Sequence, residues 1–160
     1  MFNPSNITSV VFDWGRTLWN PEAEDLFNGA RQVLEKLSVG RRLMIVSLAT
    51  KGSEEIERRK RIIADLGIEE LFAYIVFVSE EKDEAYASLF AEYKLDPLKT
   101  VIVDDRIIRG IAWGNRIGVH TIWFQNGKFK DELPSKETGD PTFTITDFGQ
   151  LETIFTQNPA

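Results

Sequence analysis

Five short apolar runs, each separated from the next by a stretch of helical character, constrain this chain more than any other feature. The runs are Ile7–Phe12, Leu43–Ser47, Tyr74–Val78, Thr100–Val103 and Val119–Phe124. They show little polar alternation, so each is expected to be covered on both faces. Strands joined through helices need crossover connections, which make a parallel sheet. The spacing predicts a first helix over Glu22–Leu37, entered through Pro21, with Leu26, Ala30, Val33, Leu34 and Leu37 on one stripe. Further helices are expected over Ser53–Leu66 with Ser53 as cap, Asp83–Tyr93, Ile107–Arg116 and Phe148–Phe155. Residues 126–141 are polar and rich in Gly and Pro, so a loop is expected there, followed by a short edge strand at Phe143–Ile145. The expected fold is α/β: a three-layer α/β/α sandwich around a mostly parallel, Rossmann-like sheet, with residues 1–160 forming one domain and no cap domain.

Charge and composition exclude several kinds of function. The net charge of -6 argues against a nucleic-acid partner, which needs a basic face. There is no cysteine and only one histidine, so thiol chemistry and a thiolate zinc site are excluded. No apolar run approaches the length of a membrane span, and Met1-Phe2-Asn3-Pro4-Ser5 lacks the basic flank of a secretion signal. A cytoplasmic protein with no membrane partner is the expectation.

The strand ends carry the chemistry. The first run delivers Asp13, followed by Gly15, Arg16 and Thr17; the second ends at Ser47. Lys82 follows the third, and Asp104 and Asp105 close the fourth. All lie at carboxyl ends, where ligands bind in open parallel sheets. An aspartate can form an aspartyl-phosphate, hydroxyl and ammonium groups can hold phosphate oxygens, and an acidic pair can bind Mg²⁺.

As a set, these residues resemble the motifs of the haloacid dehalogenase-like (HAD) superfamily over residues 7–125. Its first motif, DxDGT, aligns with Asp13-Trp14-Gly15-Arg16-Thr17; Ser47, Lys82 and Asp104-Asp105 match the later three. The resemblance implies a Mg²⁺-assisted phosphohydrolase with Asp13 as nucleophile and Ser47 and Lys82 completing the catalytic set. Thr17, Ser47, Lys82 and Arg16 become candidate phosphate contacts. Asp13, the Gly15 carbonyl, Asp105 and Asp104 become candidate metal ligands, with Asp104 also able to cap the following helix. The space after the first and second strands is too short for a cap domain, so the chain resembles the capless branch. The implied partner is a phosphorylated substrate, which without a cap can be large or macromolecular. Capless members can borrow a cap from a neighbouring subunit, so an oligomer is compatible with the resemblance.

The motif is also broken. Gly15 replaces the second Asp, which in family phosphatases protonates the leaving group and activates water; such a group is worth roughly 10²–10⁴ in rate. Arg16 replaces the usual Gly, and Gly110 stands where a later acid is expected. These changes move the site by about three charges toward positive and imply weakly bound Mg²⁺. Turnover is expected to be slow or specialised. The alternative is a catalytically impaired, phosphate-binding or regulatory HAD-like protein; metal-free dehalogenation ranks third, since a small haloacid needs an enclosed pocket. Trp14, Trp19 and His120 are expected to be structural, and the basic run Arg58–Arg61 a solvated helix face.

Overall fold

A computed structural model describes residues 1–157. Six parallel strands form the main sheet: β1 (Ser9–Phe12), β4 (Arg42–Leu48), β5 (Phe72–Val78), β6 (Thr100–Asp104), β7 (His120–Phe124) and β8 (Phe143–Ile145). Their spatial order is β5-β4-β1-β6-β7-β8, so the first strand is central. The helices are α1 (Ala30–Ser38), α2 (Ser53–Asp65), α3 (Asp83–Glu92), α4 (Ala112–Ile117) and α5 (Phe148–Thr156).

The apolar runs explain the layering. Along β1, Val10 and Phe12 point into one core with Val33 and Leu34 of α1, Ile63 of α2 and Leu151 of α5. Val11, between them, points into the other with Tyr86 and Leu89 of α3 and Trp113 of α4. Leu43 and Ile45 against Met44 and Val46 in β4 repeat the division, as do Val101 and Val103 against Ile102 in β6. A strand with no polar face is thus the consequence of helices on both sides.

Register places the site. Phe12 pairs with Ile45 on one side and Val103 on the other. The Asp13 amide donates to the Val103 carbonyl at 2.9 Å. Asp13 therefore emerges beside Asp104, with Ser47 just beyond on β4.

Three boundaries differ from the sequence expectation. The segment expected to open the first helix is a two-stranded hairpin, β2 (Trp19–Asn20) and β3 (Asp25–Leu26). Pro21 sits in its turn, where the Glu22 amide donates to the Asn20 side chain at 3.2 Å. The helix begins only after Gly29, whose φ of 83° a side chain would resist. Ser53 lies inside the first turn of α2 rather than capping it; Gly52 holds the cap position, and the Glu55 carboxylate accepts the Lys51 amide at 2.8 Å. The expected helix over Ile107–Arg116 is a wide turn at Ile107–Ile111, broken at Arg109, followed by α4. The break has a cause: the Gly110 amide is drawn to the Asp104 carboxylate at 3.1 Å. Neither the hairpin nor α2 amounts to a cap domain. No helix among the described residues is long and apolar enough to cross a membrane.

Gly114 sets how closely α4 approaches the sheet. A Cβ there would lie 2.7 Å from Thr121 Cγ2 and 3.3 Å from Ile102 Cδ1. Thr121 cannot yield easily, because its hydroxyl donates to the Asn115 side chain at 2.8 Å and accepts the Thr142 amide at 3.2 Å. Alanine ordinarily stabilises a helix over glycine by about 1 kcal/mol, whereas overpacking a core costs about 1–3 kcal/mol. Gly114→Ala is therefore expected to lower the denaturant midpoint; a raised midpoint would show that the helix moves freely on the sheet.

Candidate functional site

Four strand ends deliver their side chains to one point. Asp13, Ser47, Lys82, Asp104 and Asp105 are 7, 1, 4, 1 and 2 % exposed, and Thr17 is fully buried. Lys82 bridges two carboxylates: its ammonium donates to Asp104 Oδ2 at 2.7 Å and to Asp13 Oδ1 at 3.2 Å. The Ser47 hydroxyl donates to the same Asp13 oxygen at 2.8 Å and accepts the Trp14 amide at 3.2 Å. Asp13 is thereby fixed through two independent elements, β4 and the start of α3.

Thr17 does not face outward as a phosphate contact would. Its hydroxyl lies between Asp13 Oδ2 at 3.0 Å and Asp105 Oδ1 at 3.2 Å, and it accepts the Asp105 amide at 3.1 Å. Asp105 is further held by the Trp123 indole, which donates to its carbonyl at 2.9 Å. Arg16 lines the cleft and pairs with Glu22 at 2.8 Å. Its φ of 65° is left-handed, the conformation that favours the glycine it replaces.

Asp104 and Asp105 have different surroundings. Asp104 Oδ1 accepts the Arg106 amide at 3.0 Å, and Oδ2 accepts both Lys82 and the Gly110 amide. A Cβ at residue 110 would lie 2.5 Å from Asp104 Oδ2 and 2.7 Å from the Tyr86 hydroxyl. The Asp104 carboxylate thus fills the space that an acid at position 110 would need. The charge count made from sequence changes in one respect: Arg16, counted as a positive charge gained, is paired with Glu22.

The cluster holds more carboxyl groups than its one ammonium can keep ionised. Burial pushes Asp13 up, but Lys82 and the hydrogen bonds from its neighbours outweigh it and hold the carboxyl below its usual range. Burial disfavours the Lys82 ammonium, but Asp104 and Asp13 prevail and keep it protonated. Asp105 has no cation of its own; burial, then Asp13 and Asp104, push its carboxyl up to about 9. Its Oδ2 is buried without a partner. Oxygens of Asp13, Asp104 and Asp105 lie within 4.8 Å of one another. Three carboxylates around one ammonium, with an orphaned oxygen, fit a hard divalent cation.

Asp13, Ser47 and Asp105 form the floor of a cleft of about 430 Å³ at the carboxyl edge of the sheet, with Lys82, Asp104 and Thr17 behind them. Its walls include residues that sequence reasoning set aside. Arg58 and Arg59, expected on a solvated helix face, line it from α2 together with Lys51; Arg109 lines it from the broken turn. Only the topology brings α2 over the end of β1, so no local pattern marked these arginines. Trp14 and Trp19 stack at 5.7 Å beside the cleft, and His120 packs on Phe2 at the far end of the sheet.

Removing one member of a buried ion cluster is costly, because it leaves charge uncompensated, by about 3–5 kcal/mol. Lys82→Met is expected to destabilise the fold by that order in chemical denaturation. Adding Asp104→Asn should return part of the loss. Single and double variants of equal stability would contradict the charge balance described here.

Comparison with known proteins gives a consistent picture. A family model described as HAD-hydrolase-like matches residues 82–151. A glyceraldehyde 3-phosphate phosphatase of Pyrococcus furiosus is 23% identical over 156 residues, covering 94% of this chain; the chain spans 62% of that protein's length. Among solved structures, an uncharacterised protein of Listeria monocytogenes serotype 4b is similar with a TM-score of 0.69 and 23% identity, over 92% of this chain and 98% of the other. The Bacillus subtilis protein YfnB, a HAD-hydrolase solved with bound magnesium, is similar with a TM-score of 0.67 and 21% identity, over 83% of this chain and 57% of the other. The fold is thus the one these structures share, and the sequence of residues 82–151 is similar to the HAD-hydrolase-like family.

Proposed function

We propose that the chain is a phosphohydrolase that works through an aspartyl-phosphate on Asp13. One observation carries the reading: a single Asp13 oxygen is gripped by both Ser47 and Lys82 at the floor of the cleft, while the neighbouring Asp105 oxygen has no partner. A carboxylate held ionised and aimed in this way is an available nucleophile. Lys82 offsets negative charge where a phosphoryl group would approach, and Ser47 orients the attacking carboxylate. Thr17 ties Asp13 to Asp105 and keeps the two at fixed separation.

Asp13, Asp105 and the Gly15 carbonyl would hold Mg²⁺, with Asp104 acting as counter-charge to Lys82. The ion would supply positive charge against the phosphoryl oxygens. Support comes from the orphaned Asp105 oxygen and from the magnesium-bound relative YfnB. The likeness to a glyceraldehyde 3-phosphate phosphatase supports a phosphorylated substrate.

A second reading follows from Gly15, which offers no acid/base: a phosphate-binding or regulatory protein with little turnover. Both readings are separated by p-nitrophenyl phosphate, whose leaving group needs no proton. The wild type is expected to hydrolyse it in Mg²⁺, and Asp13→Asn to fall to background. In calorimetry Asp105→Ala should weaken Mg²⁺ binding by about tenfold or more. Phosphate binding without hydrolysis in the wild type would favour the second reading; Mg²⁺ binding unchanged by Asp105→Ala would remove the assigned metal site.

A further inference from the structure

The position of the missing acid is not empty of chemistry. A Cβ on Gly15 would lie 3.7 and 3.8 Å from the two terminal nitrogens of Arg59. That guanidinium is fixed: it donates to the Leu48 carbonyl at 2.9 Å and pairs with Glu55 at 2.7 Å. Its side chain is 19% exposed, so it is a built feature and not a solvated arm. A cation thus stands where a proton donor is expected.

The rest of the cleft repeats that sign. Arg16, Lys51, Arg58, Arg59, Arg106 and Arg109 line it, against Asp13, Glu24 and Asp105. The whole chain carries a net charge of -6, so this concentration of cations is local. Among the described residues Lys51, Arg58 and Arg109 have no ion-pair partner. Above an acidic floor, the mouth offers unclaimed positive charge to whatever is attached to the phosphoryl group.

We infer that the site, read as a phosphohydrolase, takes phosphoryl groups carried on an anionic leaving group, a carboxylate or a phosphate, in preference to alkyl phosphate monoesters. The chemistry is balanced without an acid at position 15. Asp13 attacks phosphorus, and the bond from phosphorus to the leaving oxygen breaks. The electron pair departs with a group that is stable as an anion near neutral pH, so no proton is needed. Arg59, with Arg58 and Arg109 nearby, stabilises the charge on that group as it develops. Water then attacks the phosphorus of the aspartyl-phosphate; the Asp13 carboxylate leaves with its electron pair, and both protons of the water remain on the released phosphate. An alkoxide, by contrast, is a poor leaving group unless protonated, and nothing at Gly15 can protonate it.

The test compares kcat/KM for acetyl phosphate and pyrophosphate with that for glycerol 3-phosphate, in wild type and in Gly15→Asp/Arg59→Gln. The second substitution is required because Arg59 would pair with a carboxylate introduced at position 15 and hold it ionised. The wild type is expected to favour the better of the two anionic-leaving substrates by about 10²-fold or more, the lower bound of what an acid contributes. The variant should narrow that ratio at least about tenfold by gaining on glycerol 3-phosphate. Whichever of acetyl phosphate and pyrophosphate is faster assigns the leaving group as carboxylate or phosphate. If the variant does not fold, Arg58→Ala is expected to lower kcat/KM for the faster substrate about tenfold, the worth of one charge-assisted contact, and an unchanged value would overturn the inference. Comparable wild-type values for glycerol 3-phosphate and the anionic-leaving substrates would overturn the inference, as would an unchanged ratio in the folded variant. Hydrolysis of p-nitrophenyl phosphate with none of the three substrates accepted would overturn it and leave the proposed function standing. Inactivity on all four would remove both.

Discussion

The buried ammonium of Lys82 is the contact on which the rest of the site depends. Three carboxylates converge where β1 and β6 end side by side, and without a cation between them they could not all stay ionised in a dry interior. Lys82 touches Asp13 and Asp104 and lies 5.3 Å from the face of the Tyr86 ring. It holds the Asp13 carboxyl below its usual range, while burial still keeps Asp104 above its own, and it leaves Asp105 Oδ2 without a partner. That residual imbalance is the reason for proposing a divalent cation there, and the closeness of the carboxylates follows from the parallel pairing of Phe12 with Val103.

Asp104 and Gly110 show how a changed sequence can preserve an arrangement. A carboxylate is absent from the broken turn before α4, yet one reaches the same space from the end of β6. Any side chain at position 110 would collide with it. The glycine is therefore a steric consequence of Asp104 and not simply a loss. Gly15 is different. Among the described residues no carboxylate comes within 4 Å of a Cβ placed there, and the group that does is Arg59. The floor is acidic and the mouth basic; under the proposed function the first would hold the phosphoryl group and the second would select what carries it.

Much of this was legible in the chain. The apolar runs of β1, β4 and β6 had no polar face, which required helices on both sides, and the residues after each run had to meet at one edge. The hairpin at Trp19–Leu26 was not legible, because Pro21 suits a helix start as well as a turn, and the segment is held by contacts no local pattern shows, the Phe27 amide on the Leu18 carbonyl and Phe27 packed on Phe124. The role of Arg59 was hidden for a related reason. In sequence it belongs to a basic run on an amphipathic helix, and such runs are normally solvated. Its anchoring to the Leu48 carbonyl and its approach to Gly15 depend on contacts across 11 positions in one case and on the fold of two separate crossovers in the other.

The proposed mechanism depends on a carboxylate oxygen of Asp13 receiving the phosphoryl group. The most direct measurement is to mix the protein with acetyl phosphate and Mg²⁺, quench in acid within the first turnover, digest, and map any added phosphoryl group by mass spectrometry. One phosphoryl group is expected on the peptide that contains Asp13, lost on treatment with hydroxylamine and absent in Asp13→Asn. A stable adduct on another residue, or turnover with no adduct under conditions where Asp13→Asn is inactive, would contradict it.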